Sequence, residues 1–318
     1  MSKKHREFND PGTGTSYSFN SKRIINKDGS FNVTKSGFGY SARNTYQVLI
    51  GMSWTKFLLS IILFLCIVNA LFALCYLAIG VEQLGIKSIS LIDDFLESYF
   101  FSFQTFTTVG YGTLSPMGKL MNIVASIESV AGWMCFAIVT GILYGRFSKP
   151  SAMLKYSEKA IVGPYKNGLN SLQFRVANMR QSNLMEMEAT VILMHVKRDS
   201  SGKGILKRSF TPLTLERNNI LFFPLNWTLV HLIDENSPFY NKSRKELEEM
   251  EIEILTLIRG FDDTFSNVVH SRHSYKLEEI HWGGKFKVPY ETQENGEIIL
   301  FYEKLDEYEN IDLDHARN

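Results

Sequence analysis

Three cysteines in 318 residues, Cys66, Cys75 and Cys135, are too few and too odd in number for a disulfide framework. All three fall inside long apolar runs, where they read as small packing residues. Net charge is missing as well. Thirty-four Lys and Arg against 33 Asp and Glu leave +1, with no long basic block, so a nucleic-acid footprint is excluded. Of the seven histidines, His270, His273 and His281 lie nearest one another, but their spacing fits no closed metal site. There are no paired carboxylates, nucleophile–base pair or phosphate loop in the setting such chemistry needs, so neither an enzyme nor a bound cofactor is expected. Gly37-Phe38-Gly39-Tyr40-Ser41-Ala42 is a loose match to a dinucleotide loop, rejected because no strand precedes it. A cleavable leader is not expected either, since the first apolar run begins only at Phe57 and lacks a small-residue cleavage site.

What is present is apolar length. Over residues 57–79 only Ser60 and Asn69 interrupt the run, which at about 1.5 Å per residue crosses a ~30 Å hydrocarbon core. Residues 120–147 form a second run that carries Asn122, Glu128 and Arg146 and is otherwise apolar or small, long enough for a tilted helix projecting into the cytosol. Lys and Arg number nine in residues 1–56, two between the runs (Lys87 and Lys119) and five over residues 146–166. That bias predicts a multi-pass protein of a plasma membrane or bacterial inner membrane, with both termini cytoplasmic.

Residues 1–43 are rich in Ser, Asn, Lys and Gly and predict a mobile tail that gains order only by packing on other parts. Residues 44–56 gather Tyr46, Leu49, Ile50 and Trp54 on one side of an interfacial helix; an irregular linker is the alternative. The pore domain is expected over 57–150, with spans at 57–79 and 120–147. A pore helix and loop, 94–112, lie between them, the helix being capped by Asp93 and Asp94. Residues 151–318 change to short alternating segments, which predicts a cytoplasmic all-β sandwich. Leu172, Phe174 and Val176 mark one strand face; Leu221, Phe223, Leu225, Trp227, Leu229 and Ile233 mark another. One helix is expected over 243–251.

Between the runs stands Thr107-Thr108-Val109-Gly110-Tyr111-Gly112. Thr-Val-Gly-Tyr-Gly is the established filter sequence of potassium channels, and its coordination scheme is carried over from them: backbone carbonyls replace the ion's water shell. Here Thr108, Val109, Gly110 and Tyr111 would present the K+-coordinating oxygens, with Gly110 and Gly112 adopting angles closed to other residues. K+ is thus expected as the transported ion and not as a cofactor. A re-entrant loop is tolerated at membrane depth only when protein or water covers it, and the filter scheme requires a homotetramer. Phe100, Phe101, Phe103, Phe106 and Tyr111 are candidates for bracing the ring.

On the second run, Gly132, Phe136, Thr140 and Tyr144 recur every four residues and form either a pore-lining stripe, with Tyr144 as a cytoplasmic gate, or ordinary helix packing. Glu128 is an ionisable group at membrane depth. It supports the filter or raises cation concentration nearby, or it is a protonated residue in an interhelical hydrogen bond. Arg146, Lys149, Lys155 and Lys159 fall at headgroup depth, and each can contribute about 1 kcal/mol of attraction to anionic phospholipid. Positive-inside topology alone also accounts for Lys155 and Lys159.

With these residues in place, the chain resembles inward-rectifier potassium channels, their bacterial homologues most of all. The resemblance rests on the filter and on RVANMRQSNLMEM (175–187), HLIDENSPFY (231–240), RGFDDTF (259–265), HSRHSY (270–275) and HWGGKF (281–286). It implies a tetramer with an interfacial slide helix, two spans per subunit and an immunoglobulin-like cytoplasmic domain that extends the pore. Gating at Tyr144 and a pore-facing acid at Glu186 are implied too. So is a second constriction formed by Gly260, Phe261, Asp262, Asp263, Thr264, Phe265, Ser266 and Asn267. Phe136 stands where strong rectifiers carry an acid, which argues against strong polyamine rectification. Gln104 and Leu114 stand where many eukaryotic members carry a bridged carboxylate and arginine. Arg146 and Lys149 match positions tied to phosphoinositide response; the sign of any lipid effect is open.

Overall fold

A computed structural model describes residues 10–16, 23–34, 36–37, 42–148, 152–180, 183–198 and 206–313. The chain divides into two compact units: Ser36–Lys149, and Met1–Lys35 with Pro150–Asn318.

The first unit is helical: α1 (Ala42–Gly51), α2 (Trp54–Ile79), α3 (Leu91–Phe106) and α4 (Lys119–Phe147). α2 and α4 are long and apolar enough to cross a membrane, and only 17% of each hydrophobic window is covered by the chain itself. An apolar surface left so open needs lipid or neighbouring protein against it. The helix expected over 44–56 stops at Gly51, and Trp54 opens α2 rather than closing α1. Ser90 caps α3, its hydroxyl accepting from the Asp93 N–H at 3.2 Å. The expected caps Asp93 and Asp94 lie three and four residues after Ser90, in the first turn, where their charge complements the helix dipole. The unit's core joins Tyr76, Phe101, Met121 and Ala125 with Val81, Leu84 and Ile86 from the link between α2 and α3.

The second unit is a β-sandwich. Its strands are β1 (Leu154–Tyr156), β2 (Ala160–Pro164), β3 (Asn170–Asn178), β4 (Leu184–Arg198), β5 (Leu206–Pro212), β6 (Asn219–Phe222), β7 (Asn226–Leu232), β8 (Glu253–Asp262), β9 (Asn267–Lys276), β10 (Ile280–Trp282), β11 (Gly284–Phe286), β12 (Tyr290–Thr292), β13 (Ile298–Leu300) and β14 (Tyr308–Asn310). One sheet runs β1-β3-β2-β10 with β7 also on β3; the other runs β5-β4-β8-β9 with β6 on β4. Their inner faces close over a single core that includes Leu172, Phe174, Val176, Leu193, Trp227, Leu229, Ile254 and Tyr275. Alternation along each strand supplies these residues, as a two-sheet core requires.

The stretch read as one strand face divides in two at Pro224. Phe223, Trp227, Leu229 and Ile233 are buried, but Leu221 on β6 is 70% exposed. Proline has no N–H for a ladder, so β6 and β7 join different sheets. The expected short helix is α5 (Arg244–Glu249), held by a capping box between Ser243 and Glu246. Its ion pair is Lys242–Glu246 at 3.6 Å. Part of the N-terminal tail is ordered against the sandwich. Ile24 and Ile25 are buried with Met194, Phe210 and Leu255, and their N–H groups donate to the Glu253 carboxylate at 2.9 to 3.3 Å.

Candidate functional site

The turn after α3 has an unusual backbone. Thr108, Gly110 and Gly112 all take positive φ (58°, 54° and 81°), while Val109 and Tyr111 between them do not. Alternating hands of this kind turn successive peptide planes so that their carbonyls face one way. Glycine adopts such angles freely, but a β-branched residue at φ 58° costs about 1–3 kcal/mol, so the surroundings must hold Thr108 there.

The N–H groups show what holds it. Thr107 N donates to Phe103 O (3.0 Å) and Thr108 N to Thr105 O (3.1 Å), while Val109 N and Gly110 N share Gln104 O (2.9 and 3.2 Å). Tyr111 N donates to the Gln104 side-chain oxygen at 3.0 Å. Five consecutive donors are thus returned to the last turn of α3. Among the described residues no hydrogen bond uses the carbonyls of Thr108, Val109, Gly110 or Tyr111, which leaves four acceptors free for something outside the chain.

The aromatics expected to brace the ring divide in two. Phe101 and Phe106 are buried, but Phe100 (61%), Phe103 (42%) and Tyr111 (80%) stay exposed within one chain.

Glu128 is fully buried beneath α3. Tyr76 Oη donates to its Oε2, and Ser102 Oγ lies in hydrogen-bond contact with its Oε1. Ser102 Oγ is also 3.0 Å from Asn69 Oδ1, and Asn69 Nδ2 donates to Leu65 O at 2.7 Å. The cluster joins α2, α3 and α4 behind the turn.

Along α4 the expected four-residue stripe does not hold together. Gly132, expected on the pore-lining stripe, is buried at a close crossing with α3, where a Cβ would lie 2.0 Å from Phe106 O. A four-residue step overshoots a helical turn by about 40°, so Gly132 and Tyr144 stand roughly 120° apart. Phe136 and Tyr144 are each 73% exposed, and Thr140, also exposed, returns its hydroxyl to Phe136 O at 2.8 Å. Arg146 donates to Leu49 O and to Met52 O (2.8 Å), with its guanidinium 4.6 Å from the Trp54 ring and 4.4 Å from the Phe57 ring. That side chain ties α4 to the α1–α2 corner. Gly145 permits the same packing: a Cβ there would meet Tyr46 Oη at 2.9 Å. Lys149, named beside Arg146 as a lipid contact, lies outside the described residues.

In the sandwich, Glu186 is exposed on β4 with φ 50°, inside the register break between Met185 and Glu188. The bulge re-aims this one side chain. It lines a groove of about 780 Å³ together with Met187, Gly260 and Phe261. Gly260, Phe261 and Asp262 end β8, Asn267 begins β9, and Asp263, Thr264, Phe265 and Ser266 make the turn. Asp262 is fully buried; its carboxylate accepts Thr264 N (3.0 Å) and meets Arg180 at 3.3 Å, which fixes the hairpin tip. Met187 packs directly over Gly260, where a Cβ would lie 2.0 Å from its sulfur and the methionine side chain would have to move. His273 stacks on Tyr156 at 4.4 Å and His281 bonds Asn310 at 2.9 Å. Among the described residues no cluster could hold a metal.

Sequence reasoning missed Gln104 as the anchor of the turn, Thr108 as a strained position, and Tyr76 and Ser102 as partners of Glu128. The signals were Asn69, one of two polar interruptions in the first run, and Gln104, which stands where relatives carry a bridged carboxylate.

Comparison with known proteins agrees with this architecture. Residues 154–317 match the family described as inward rectifier potassium channel C-terminal domain, and residues 60–149 match a family described as ion channel. The inward rectifier potassium channel Kirbac3.1 of Paramagnetospirillum magnetotacticum is 34% identical over 287 residues, covering 90% of this chain and 95% of its own. The G protein-activated inward rectifier potassium channel 2 of Mus musculus is 27% identical over 308 residues, covering 89% and 69% respectively. Among solved structures, a sporulation control protein of Bacillus subtilis aligns with TM-score 0.24 at 7% identity over 42% of this chain and 50% of its own, too slight a likeness to bear on the fold.

Proposed function

This chain belongs to the inward rectifier potassium channel family, and we propose that four copies surround one axis with residues 108–112 of each at its centre. The observation that carries the reading is the turn itself: its N–H groups are returned to α3 and its carbonyls are left unbonded. Four such turns supply stacked rings of oxygens that replace the hydration of K+, and conduction is passive. Phe100, Phe103 and Tyr111, exposed in one chain, become covered by neighbouring copies.

Phe136 and Thr140 line the cavity below the filter, and Tyr144 narrows the pathway at its cytoplasmic end. Glu186 and the tip at residues 260–267 are assigned to the cytoplasmic part of the route. Both termini are cytoplasmic, following the Lys and Arg bias. Anionic phospholipid, phosphoinositide included, is proposed to act near Arg146 and Lys149. For Arg146 it would act on a side chain already tied to Leu49 and Met52.

The test is Rb+ uptake into liposomes holding the purified protein, with and without phosphoinositide. The reading expects uptake that Ba2+ blocks and that Na+ barely replaces. Equal Na+ and K+ permeability would refute the filter assignment.

A further inference from the structure

Hydrogen counting in the buried cluster leads beyond the filter. Asn69 Nδ2 donates to Leu65 O at 2.7 Å, which fixes the amide so that Oδ1 faces Ser102 Oγ at 3.0 Å; the flipped amide would set oxygen against oxygen. Ser102 therefore stands between two oxygens, Asn69 Oδ1 and Glu128 Oε1, with one hydroxyl hydrogen to give. If Ser102 gives it to Asn69, the contact with Glu128 needs a hydrogen from the carboxyl. Charge gives the same answer by a separate route. Glu128 is fully buried, its partners are the hydroxyls of Tyr76 and Ser102, and no ion pair among the described residues includes it. An ionised carboxylate so placed has no compensating charge.

We infer that Glu128 carries a proton and serves as a positioning residue for the filter, donating to Ser102 while accepting from Tyr76. The hydrogen-bonded chain then runs Tyr76 to Glu128 to Ser102 to Asn69 to Leu65 with one hydrogen for each contact. Ser102 lies two residues before Gln104, whose backbone and side chain hold Val109, Gly110 and Tyr111. The cluster thereby fixes the turn of α3 on which the filter hangs. Glu128 acts through this packing and is not a cation-concentrating charge. Tyr76 is the other titratable group facing it, and with no hydrogen to lose to an ionised neighbour it remains a donor.

The inference rests on the filter reading for its function but not for its proton, and the experiment separates the two. Infrared spectra of wild-type tetramer and Glu128→Gln at neutral pH are subtracted, and Tyr76→Phe is measured to identify the band. A protonated-carboxyl band present in wild type, absent in Glu128→Gln and shifted in Tyr76→Phe is expected. A carboxylate signature in its place overturns the proposal, whether or not the protein conducts. In liposomes, Glu128→Gln keeps a donor for Ser102 and an acceptor for Tyr76. It should match wild type in K+ over Na+ preference and in pH profile from about pH 5.5 to about pH 8.5. Glu128→Ala should lose about tenfold or more of that preference. Glu128→Gln behaving like Glu128→Ala, or Glu128→Ala retaining full preference, would overturn the positioning role. If Glu128→Ala does not assemble, the Glu128→Gln flux and the infrared difference still decide.

Discussion

Replacing Gln104 by Leu removes one acceptor and leaves the rest of the filter's support in place. In each subunit the Tyr111 N–H loses its 3.0 Å partner, while Gln104 O continues to take Val109 N and Gly110 N. The lost bond contributes about 0.5–1.5 kcal/mol net, and once the proposed assembly buries this N–H, leaving it unsatisfied costs about 1–3 kcal/mol. In the proposed tetramer four subunits share one ion pathway, so the carbonyl of the peptide that Tyr111 N belongs to is loosened four times over. At about 1.4 kcal/mol per decade, a tenfold or greater fall in K+ over Na+ permeability is expected. Gln104→Glu keeps an oxygen within reach and should retain most of the preference. The assay is the bi-ionic reversal potential of reconstituted protein, with tetramer integrity checked alongside. A Gln104→Leu channel with wild-type selectivity would refute the view that this side chain aims the filter.

Further outcomes follow from the same geometry. Gly132→Ala places a methyl 2.0 Å from Phe106 O, a backbone atom that cannot step aside, and should lower the thermal stability of the purified tetramer by about 1–3 kcal/mol per subunit or more; an unchanged unfolding temperature would contradict the crossing. Arg146→Lys keeps the charge but loses the paired carbonyl contacts and the Trp54 and Phe57 stacking, so flux should fall even in membranes of uncharged lipid; a defect restored by added anionic lipid would favour a direct headgroup role. Tyr144→Ala should raise Rb+ flux by widening the lower constriction, and unchanged flux would argue against that gate. Burial pushes the His273 pKa down to about 4, so the neutral ring's contribution is whole above about pH 6.5 and is lost as pH falls toward 4. About 3 kcal/mol at most is at stake, and His273→Gln should flatten the acid side of the stability profile measured by thermal unfolding.

The spans, the short helix between them and the β-rich remainder were legible because each has a local signature: apolar length, a capped short helix before a Gly-rich turn, and two-residue alternation. Contacts between distant segments were not. A four-residue stripe from Gly132 to Tyr144 looks continuous in sequence, yet the helical drift and the approach of Phe106 O separate its ends. Leu221 shares the alternation of its neighbours, but Pro224 sends it to another sheet and leaves it exposed. Gln104 was marked only as a departure from relatives that carry a carboxylate there; its bond to Tyr111, beyond the end of the helix, left no local pattern. Ile24 and Ile25 lie in a polar tail, and only the edge formed by Met194, Phe210 and Leu255 explains their burial.

The central claim is that the carbonyls of Thr108, Val109, Gly110 and Tyr111 bind K+ on a fourfold axis. A crystal of the tetramer grown in Rb+ tests it most directly through anomalous scattering. A column of peaks on that axis, each ringed by these oxygens, is the result predicted. Peaks elsewhere, or an assembly without a fourfold axis at this turn, would contradict it.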